Sequence, residues 1–322
     1  MRTQTVSSQQ VCIIGNFNID LIIRNVPHLP RWGQEVAGDN YRQYSSGQGG
    51  YSCFALRQLG VPVTAIGYVG EDLYGQQIVN DLSHQGVDTT GMEVVRGERT
   101  AITVAIVRPD GERAFVSDFT FQQTASEAII QRHWSQVQQS ACVCLLGVFC
   151  LPGFNFSTLA SLLRQMQEQG HTTLVDTGWD PADWTPEHLN DVNLLLKYTS
   201  LFMPNLDEAR AITGCESPEE AAADLHTRGA QHVIIKLGKD GSYANIGGRT
   251  YRQPALPVDV YDAVGAGDVF NAGFLYGFTQ QWPIERCLMF ANAASALYIS
   301  RADDRFPSQQ QVAARAAQYQ DF

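Results

Sequence analysis

Short apolar runs alternate along this chain with amphipathic stretches several helical turns long, and that alternation constrains the fold more than any other feature. Residues 11–15, 63–67, 142–147, 173–176, 201–203 and 233–237 read as buried strands. Helical spacing fits residues 51–59, 75–85, 157–169, 206–213, 219–228, 269–279 and 284–300, and Gly60 and Gly86 stop the first two. Parallel strands need long crossovers, and helices supply them. The expected class is therefore α/β, with a central, mostly parallel sheet covered by helices on both faces in three layers.

Two regions break this pattern, residues 19–44 and 100–119. The second reads as a hairpin, with strands at 100–108 and 112–117 around the turn Pro109-Asp110-Gly111. Such strands need a surface of their own. The expectation is one domain over residues 1–322, with these two insertions forming a small β-sheet lid over a cleft; the alternative is an antiparallel edge of the main sheet. The lid's outer face would suit pairing with a second copy of the chain, which makes a homodimer the expected assembly.

The charge balance narrows the partners. A net charge of −11 on 322 residues leaves no basic field for a nucleic acid. The longest apolar run, residues 141–151, is too short to span a bilayer, and the polar first ten residues show no signal core, so no membrane partner is expected. Seven cysteines sit mostly in apolar runs without a CxxC pair, and Cys142 and Cys144 point to one face of a strand. Reduced core thiols of this kind fit a cytoplasmic protein. No histidine cluster accompanies them to build a metal site.

The chemistry is concentrated in Asp262-Ala-Val-Gly265-Ala266-Gly267-Asp268, which runs into a helical stretch. Residues without bulk at 265–267 let backbone N–H groups approach an anion, and a helix N-terminus adds unpaired donors and a positive dipole end. A carboxylate is poorly suited to holding phosphate but well suited to taking a proton from an attacking hydroxyl. Asp268 beside these donors therefore reads as a general base for phosphoryl transfer to an alcohol. A plain loop-to-helix junction with Asp near its start is the competing reading.

Further pieces follow in order. Gly15-Asn-Phe-Asn18-Ile-Asp20 ends the first strand, where Asn18 and Asp20 would grip hydroxyls. Ser45-Ser-Gly47-Gln48-Gly49-Gly50 opens a helix with small residues, or else is a flexible turn with an N-cap serine. Asn205 and Glu208 lie one helical turn apart, placed to order metal-bound water or simply to form a capping box. Lys236, Gly238 and Gly241 end a strand, for phosphate and nucleotide contact or as a glycine-rich hairpin turn.

Together with Leu29-Pro-Arg-Trp-Gly-Gln-Glu35, Leu59-Gly-Val-Pro-Val-Thr-Ala-Ile-Gly67, Gly70-Glu-Asp72-Leu-Tyr-Gly75 and Gly86-Val-Asp88, these strings resemble the ribokinase-like (PfkB) carbohydrate kinases from about residue 11 to residue 307. The resemblance implies a ribokinase-like αβα fold, MgATP as donor and a sugar or sugar-like acceptor. It implies Asp268 as base and Gly265, Ala266 and Gly267 as the anion hole. Asn18, Asp20 and the loop of Gly47, Gln48, Gly49 and Gly50 would bind the acceptor, with Tyr51 beside them. Lys236, Gly238, Gly241 and Asn292 would contact ATP, with Asn205 and Glu208 in the metal and phosphate region.

Departures qualify this carry-over. Tyr51 stands where the family usually has an asparagine that bonds the sugar. Lys236 stands where many members have threonine. Asp262 is retained at a position tied to a monovalent-cation site, but residues 300–307 lack the glycine-containing loop that helps form it, which counts against potassium. Three other functions remain. A nucleoside kinase of the same family would stack a base on Phe17 and Tyr51. A sugar- or nucleotide-binding descendant without turnover is the second. A dinucleotide oxidoreductase, the third, conflicts with a first strand ending Gly-Asn-Phe-Asn in place of GxGxxG. Trp179 is expected to pack in the core, the alternative being a place at the pocket rim.

Overall fold

The computed structural model describes residues 9–123 and 125–319; the polar stretch up to residue 8 lies outside them. In chain order the strands are β1 (Val11–Gly15), β2 (Asn18–Arg24), β3 (Asp39–Ser46), β4 (Val63–Gly70), β5 (Asp88–Val95), β6 (Ile102–Val107), β7 (Arg113–Asp118), β8 (Cys142–Leu146), β9 (Thr172–Asp176), β10 (Leu201–Phe202), β11 (His232–Lys236), β12 (Ser242–Ile246) and β13 (Arg249–Gln253). The α-helices are α1 (Gly47–Gln58), α2 (Leu73–His84), α3 (Ala128–Arg132), α4 (Trp134–Gln138), α5 (Phe156–Glu168), α6 (Pro186–Leu196), α7 (Leu206–Thr213), α8 (Pro218–Thr227), α9 (Ala266–Thr279), α10 (Ile284–Ile299) and α11 (Gln309–Ala316).

Among the described residues nine strands form the main sheet, in the order β13-β12-β11-β10-β9-β8-β1-β4-β5. Pairing is parallel from β11 through to β5, and the β12–β13 edge is antiparallel. Side-chain alternation sends each strand's residues to two separate cores. Ile13, Cys142 and Cys144 face one core with Phe54 of α1, Phe274 of α9 and Cys287 of α10. Cys12, Ile14, Val143 and Leu145 face the other with Leu159 of α5, Val192 of α6 and Leu225 of α8. This double burial is why β1 and β8 are uninterrupted apolar runs rather than alternating ones. The Cys142 and Cys144 sulfurs lie 3.9 Å apart on one face, and all seven cysteines are free. No helix is long and apolar enough to cross a membrane among the described residues.

Residues of the two irregular regions form a second sheet, ordered β3-β2-β6-β7. The hairpin appears as β6 and β7, but β2 pairs with β6 in parallel. Its register places Asp20, Thr103, Ser117 and Tyr44 in one row across the sheet, and Leu21, Val104, Val116 and Gln43 in the next row, on the opposite face.

Several elements differ from the sequence expectation. Helix α1 begins at Gly47 rather than 51, so the small residues form its first turn. Ser46 holds the N-cap position without capping, because its hydroxyl donates to Asn18 O (2.9 Å). Strands β5, β12 and β13 and helices α3, α4, α6 and α11 were not expected. The start of α6 was legible: Thr185 caps His188 N–H and Pro186 occupies the first turn. Trp179 is half exposed, edge-on to Trp184 at 5.7 Å, instead of packed in the core.

Candidate active site

The main sheet's strand order reverses between β1 and β8, and the expected site residues gather beyond the carboxyl ends of these strands and of β9, where open α/β sheets bind ligands. After β1 the chain enters β2 through a buried polar chain. Asn16 Nδ2 donates to Asn18 Oδ1 (3.0 Å), and Asn18 Nδ2 donates to Asp20 Oδ1 (2.8 Å) and reaches Ser46 Oγ (3.1 Å). The Tyr51 hydroxyl donates to Asp20 Oδ2 at 2.7 Å. Burial pushes the Asp20 carboxyl above the usual carboxylate range, and its bonds from Tyr51, Ser46 and Asn18 oppose that rise. Thr103, whose hydroxyl lies 2.9 Å from Ser117 Oγ, brings the small sheet to the same group.

The first turn of α1 is pressed onto this chain. Gly49 N–H donates to Asn16 O (3.1 Å) and Gln48 N–H to Asn16 Oδ1 (3.2 Å). Gly47 has φ +83°, and a Cβ there would lie 2.3 Å from Asn16 O, so a side chain at 47 is excluded twice over. Around Gly50, by contrast, the nearest atoms to such a Cβ are 3.9 Å away. Phe17 is fully buried against Gly49 and Gly67 and is not free to stack a base. Tyr51 is buried as well, its ring edge-on to Tyr298 at 6.4 Å and its hydroxyl committed to Asp20. The stacking surface expected for a nucleoside is therefore absent at both aromatics.

Helix α9 opens at Ala266, after Gly265 in the left-handed region at φ +82°. Tyr298 Oη would lie 2.8 Å from a Cβ on Gly265, so sterics and dihedral both require glycine. Asp268 falls in the helix's first turn and is buried, and its Oδ1 has no hydrogen-bond partner. Burial raises its pKa well above the ordinary value. Asp176 and Asp20 add to the rise, while Lys236 and the Gln48 amide oppose it. A buried carboxylate with a free oxygen and elevated basicity is what proton abstraction near neutral pH needs.

Beside it lies a cluster that sequence reasoning did not assemble. Lys236 Nζ is 2.5 Å from Asp176 Oδ2 and 3.5 Å from Asn271 Oδ1, and Asn271 Nδ2 donates to Asp176 Oδ2 (2.6 Å). Lys236 also stands next to the glycine turn, its Nζ 3.5 Å from where a Cβ on Gly267 would be. Asp176 ends β9, and Asn271 lies one helical turn beyond Asp268; both positions were signals that could have been read. Asn205 and Glu208 form the capping box of α7, each accepting the other's backbone N–H at 2.8 Å. Burial raises Glu208 from 4.5 to about 7, Asp176 adding to the rise and Lys236 opposing it.

The positions expected to contact a nucleotide divide. Gly238 has open space on its Cβ side, whereas Gly241 is closed by Gln253 O, 2.0 Å from where its Cβ would be. Asn292 donates Nδ2–H to Gln253 O (3.2 Å) and Pro254 O (3.1 Å), so its amide nitrogen holds the chain after β13 and only its oxygen remains for a ligand. Asp262 is buried and faces Arg305, with Nη1 3.1 Å from Oδ2. A cavity of about 570 Å³ is lined by Tyr51 and Arg305 but by neither Asp20 nor Asp268.

Known proteins share this chain's sequence pattern and fold. The family model described as pfkB family carbohydrate kinase matches residues 8–311. Ribokinase of Haemophilus influenzae is 27% identical over 307 residues, covering 93% of this chain and 96% of that protein. The ATP-dependent ribose-1-phosphate kinase of Halopiger xanaduensis is 30% identical over 297 residues, covering 92% and 94%. The structure of Arabidopsis thaliana ribokinase complexed with ribose and ATP superposes with a TM-score of 0.80 at 24% identity, covering 96% of this chain and 99% of that one.

Proposed function

Because this chain belongs to the pfkB family of carbohydrate kinases, we propose that it transfers the γ-phosphoryl group of ATP to a hydroxyl of a sugar or sugar derivative, with Asp268 as general base. The observation that carries this reading is the unpartnered Oδ1 of Asp268, buried at a helix N-terminus beside Gly265, Ala266 and Gly267. The acceptor lies over Asn18, Asp20 and the first turn of α1, with Thr103 and Ser117 of the small sheet closing over it. Its reactive hydroxyl gives its proton to Asp268 as the oxygen attacks the γ-phosphorus in line, and the bond from that phosphorus to the bridging oxygen breaks to release ADP. The α9 amides and the Lys236 ammonium balance the charge on the transferred oxygens. ATP enters as its magnesium complex, with Gly238 and the Asn292 oxygen on the nucleotide side. Glu208 is buried and caps α7 through one carboxylate oxygen; with Asn205 it would hold magnesium through water, and the ion would supply charge neutralisation at the phosphates. Closure of the small sheet excludes water.

A nucleoside acceptor is disfavoured by the burial of Phe17 and the engagement of Tyr51. Residues 1–322 act as one kinase unit, and the free buried thiols suit the cytoplasm. The exposed Ile23, Tyr41 and Val116, on the small sheet's outer face, support pairing of two copies there, which light scattering checks. The test of function is an ATP-consumption screen over pentoses, hexoses, sugar acids, sugar phosphates and nucleosides. Turnover with a sugar class supports the reading. Turnover with nucleosides alone refutes the acceptor class, and ATP binding without turnover on any compound supports a binding protein instead.

A further inference from the structure

Three oxygens of the turn ahead of the glycines converge on one internal cation. Arg305 is 5% exposed; its Nη2 donates to Asp262 O (2.9 Å) and Val264 O (3.2 Å). Nη1 lies 3.1 Å from Asp262 Oδ2 as a charge contact without an aligned hydrogen bond. The guanidinium carbon sits 4.1 Å from the centre of the Tyr298 ring, and the Tyr298 hydroxyl donates to Val264 O (2.9 Å). A second guanidinium flanks the turn: Arg24 donates to Tyr261 O, with its Nη1 3.7 Å from Asp262 Oδ2. Val264 is followed at once by Gly265, so whatever fixes these carbonyls also fixes the first residue of the anion hole.

A monovalent metal ion beside Asp262 would need these same carbonyl and carboxylate oxygens as ligands. They already face a guanidinium, and a second cation would meet a buried positive charge at contact distance. The residues therefore do not fit bound potassium. We propose that Arg305 is a built-in cation, a positioning residue that holds residues 262–265 in the conformation the anion hole requires and makes this chain's kinase activity independent of added monovalent cations. Residues 300–307 contain no glycine and carry a charged side chain, Arg305, that reaches these oxygens.

This inference rests on the kinase reading, so two readouts are needed. The first is phosphorylation of an acceptor found by the screen, measured at fixed ionic strength in potassium and in tetramethylammonium buffers. Wild-type rates in the two buffers should agree to within about twofold, less than the effect of one neutral hydrogen bond. Arg305→Ala should lose about 10-fold or more, the scale of hydrogen bonds made by a charged group, and potassium or free guanidinium should restore part of the loss. The second readout is ADP binding by calorimetry, which needs no acceptor. Wild-type affinity should be the same in both buffers, and that of Arg305→Ala should depend on the cation.

A wild type that requires potassium in either readout overturns the proposal. So does a folded Arg305→Ala that keeps full activity, or one whose loss neither cation relieves, since that marks a packing role alone. If Arg305→Ala does not fold, Arg305→Lys, which keeps the charge but not the fork, takes its place under the same criteria, and the wild-type buffer comparison stands by itself. Absence of turnover in every buffer counts against the kinase reading and leaves ADP binding to decide this one.

Discussion

Replacing Asp268 by asparagine tests the chemistry and the electrostatics of the site together. The amide keeps the shape but cannot take a proton, so turnover should fall by about 10²- to 10⁴-fold, the usual contribution of a general base. At 1.36 kcal/mol per tenfold this is about 2.7 to 5.5 kcal/mol of transition-state stabilisation. Stability should move the opposite way. The Asp268 carboxyl is buried with one oxygen unpartnered, and burial, then Asp176, raises its pKa. A group whose folded pKa is raised contributes most stability when protonated. That contribution is full below the unfolded value and is lost as pH climbs through the folded one. Asparagine does not titrate, so the mutant should gain thermal stability relative to wild type as pH rises above the ordinary carboxylate value of 3.8. The assay pairs initial rates on an accepted sugar with melting curves across that range. Near-normal turnover removes Asp268 from the reaction. A mutant destabilised equally at every pH refutes the argument that its ionised form is strained by burial.

Other expectations follow from neighbouring contacts. Tyr51→Phe leaves Asp20 Oδ2 without its 2.7 Å donor, which should cost about 1–3 kcal/mol of stability in denaturant melts and raise the acceptor KM more than it lowers kcat. Lys236→Met strands the buried Asp176 carboxylate and should destabilise by about 3–5 kcal/mol, with Asp176→Asn in the double mutant recovering part of the loss. Glu208 is raised from 4.5 to about 7, so its stabilising contribution is complete below the lower value and gone above the higher one. Glu208→Gln, which can still cap α7, should flatten the fall in melting temperature over that window; an unchanged slope would show that Glu208 does not titrate there.

The sequence was legible where one physical signal dominated. Doubly buried strands such as β1 and β8 announce themselves as apolar runs, and the turn before α9 is constrained by both dihedral and sterics at Gly265. Edge strands were missed because half their residues face water, as in β5, whose inner and outer positions mix Asp88, Thr90 and Glu93 with Val94. Pairwise chemistry between distant segments was also missed. Asp176, Lys236 and Asn271 lie on three separate elements, and only the sheet order brings them together. Asn205 and Glu208 show the reverse case, where a local reading, the capping box, describes what the pair does in the fold. Arg305 could not be read at all, because its partners are main-chain oxygens some forty residues earlier in the chain.

The step from β1 into β2 takes only Asn16 and Phe17. In the proposed reaction, recognition of the acceptor and placement of the small sheet share one element, because Asp20 lies within β2. Of the two residues in between, Phe17 is fully buried and Asn16 is hydrogen-bonded to Asn18. On that proposal, a molecule that fails to engage Asp20 makes no contact that couples it to β2. Idle hydrolysis of ATP should then stay low by mechanical linkage, without a dedicated sensor.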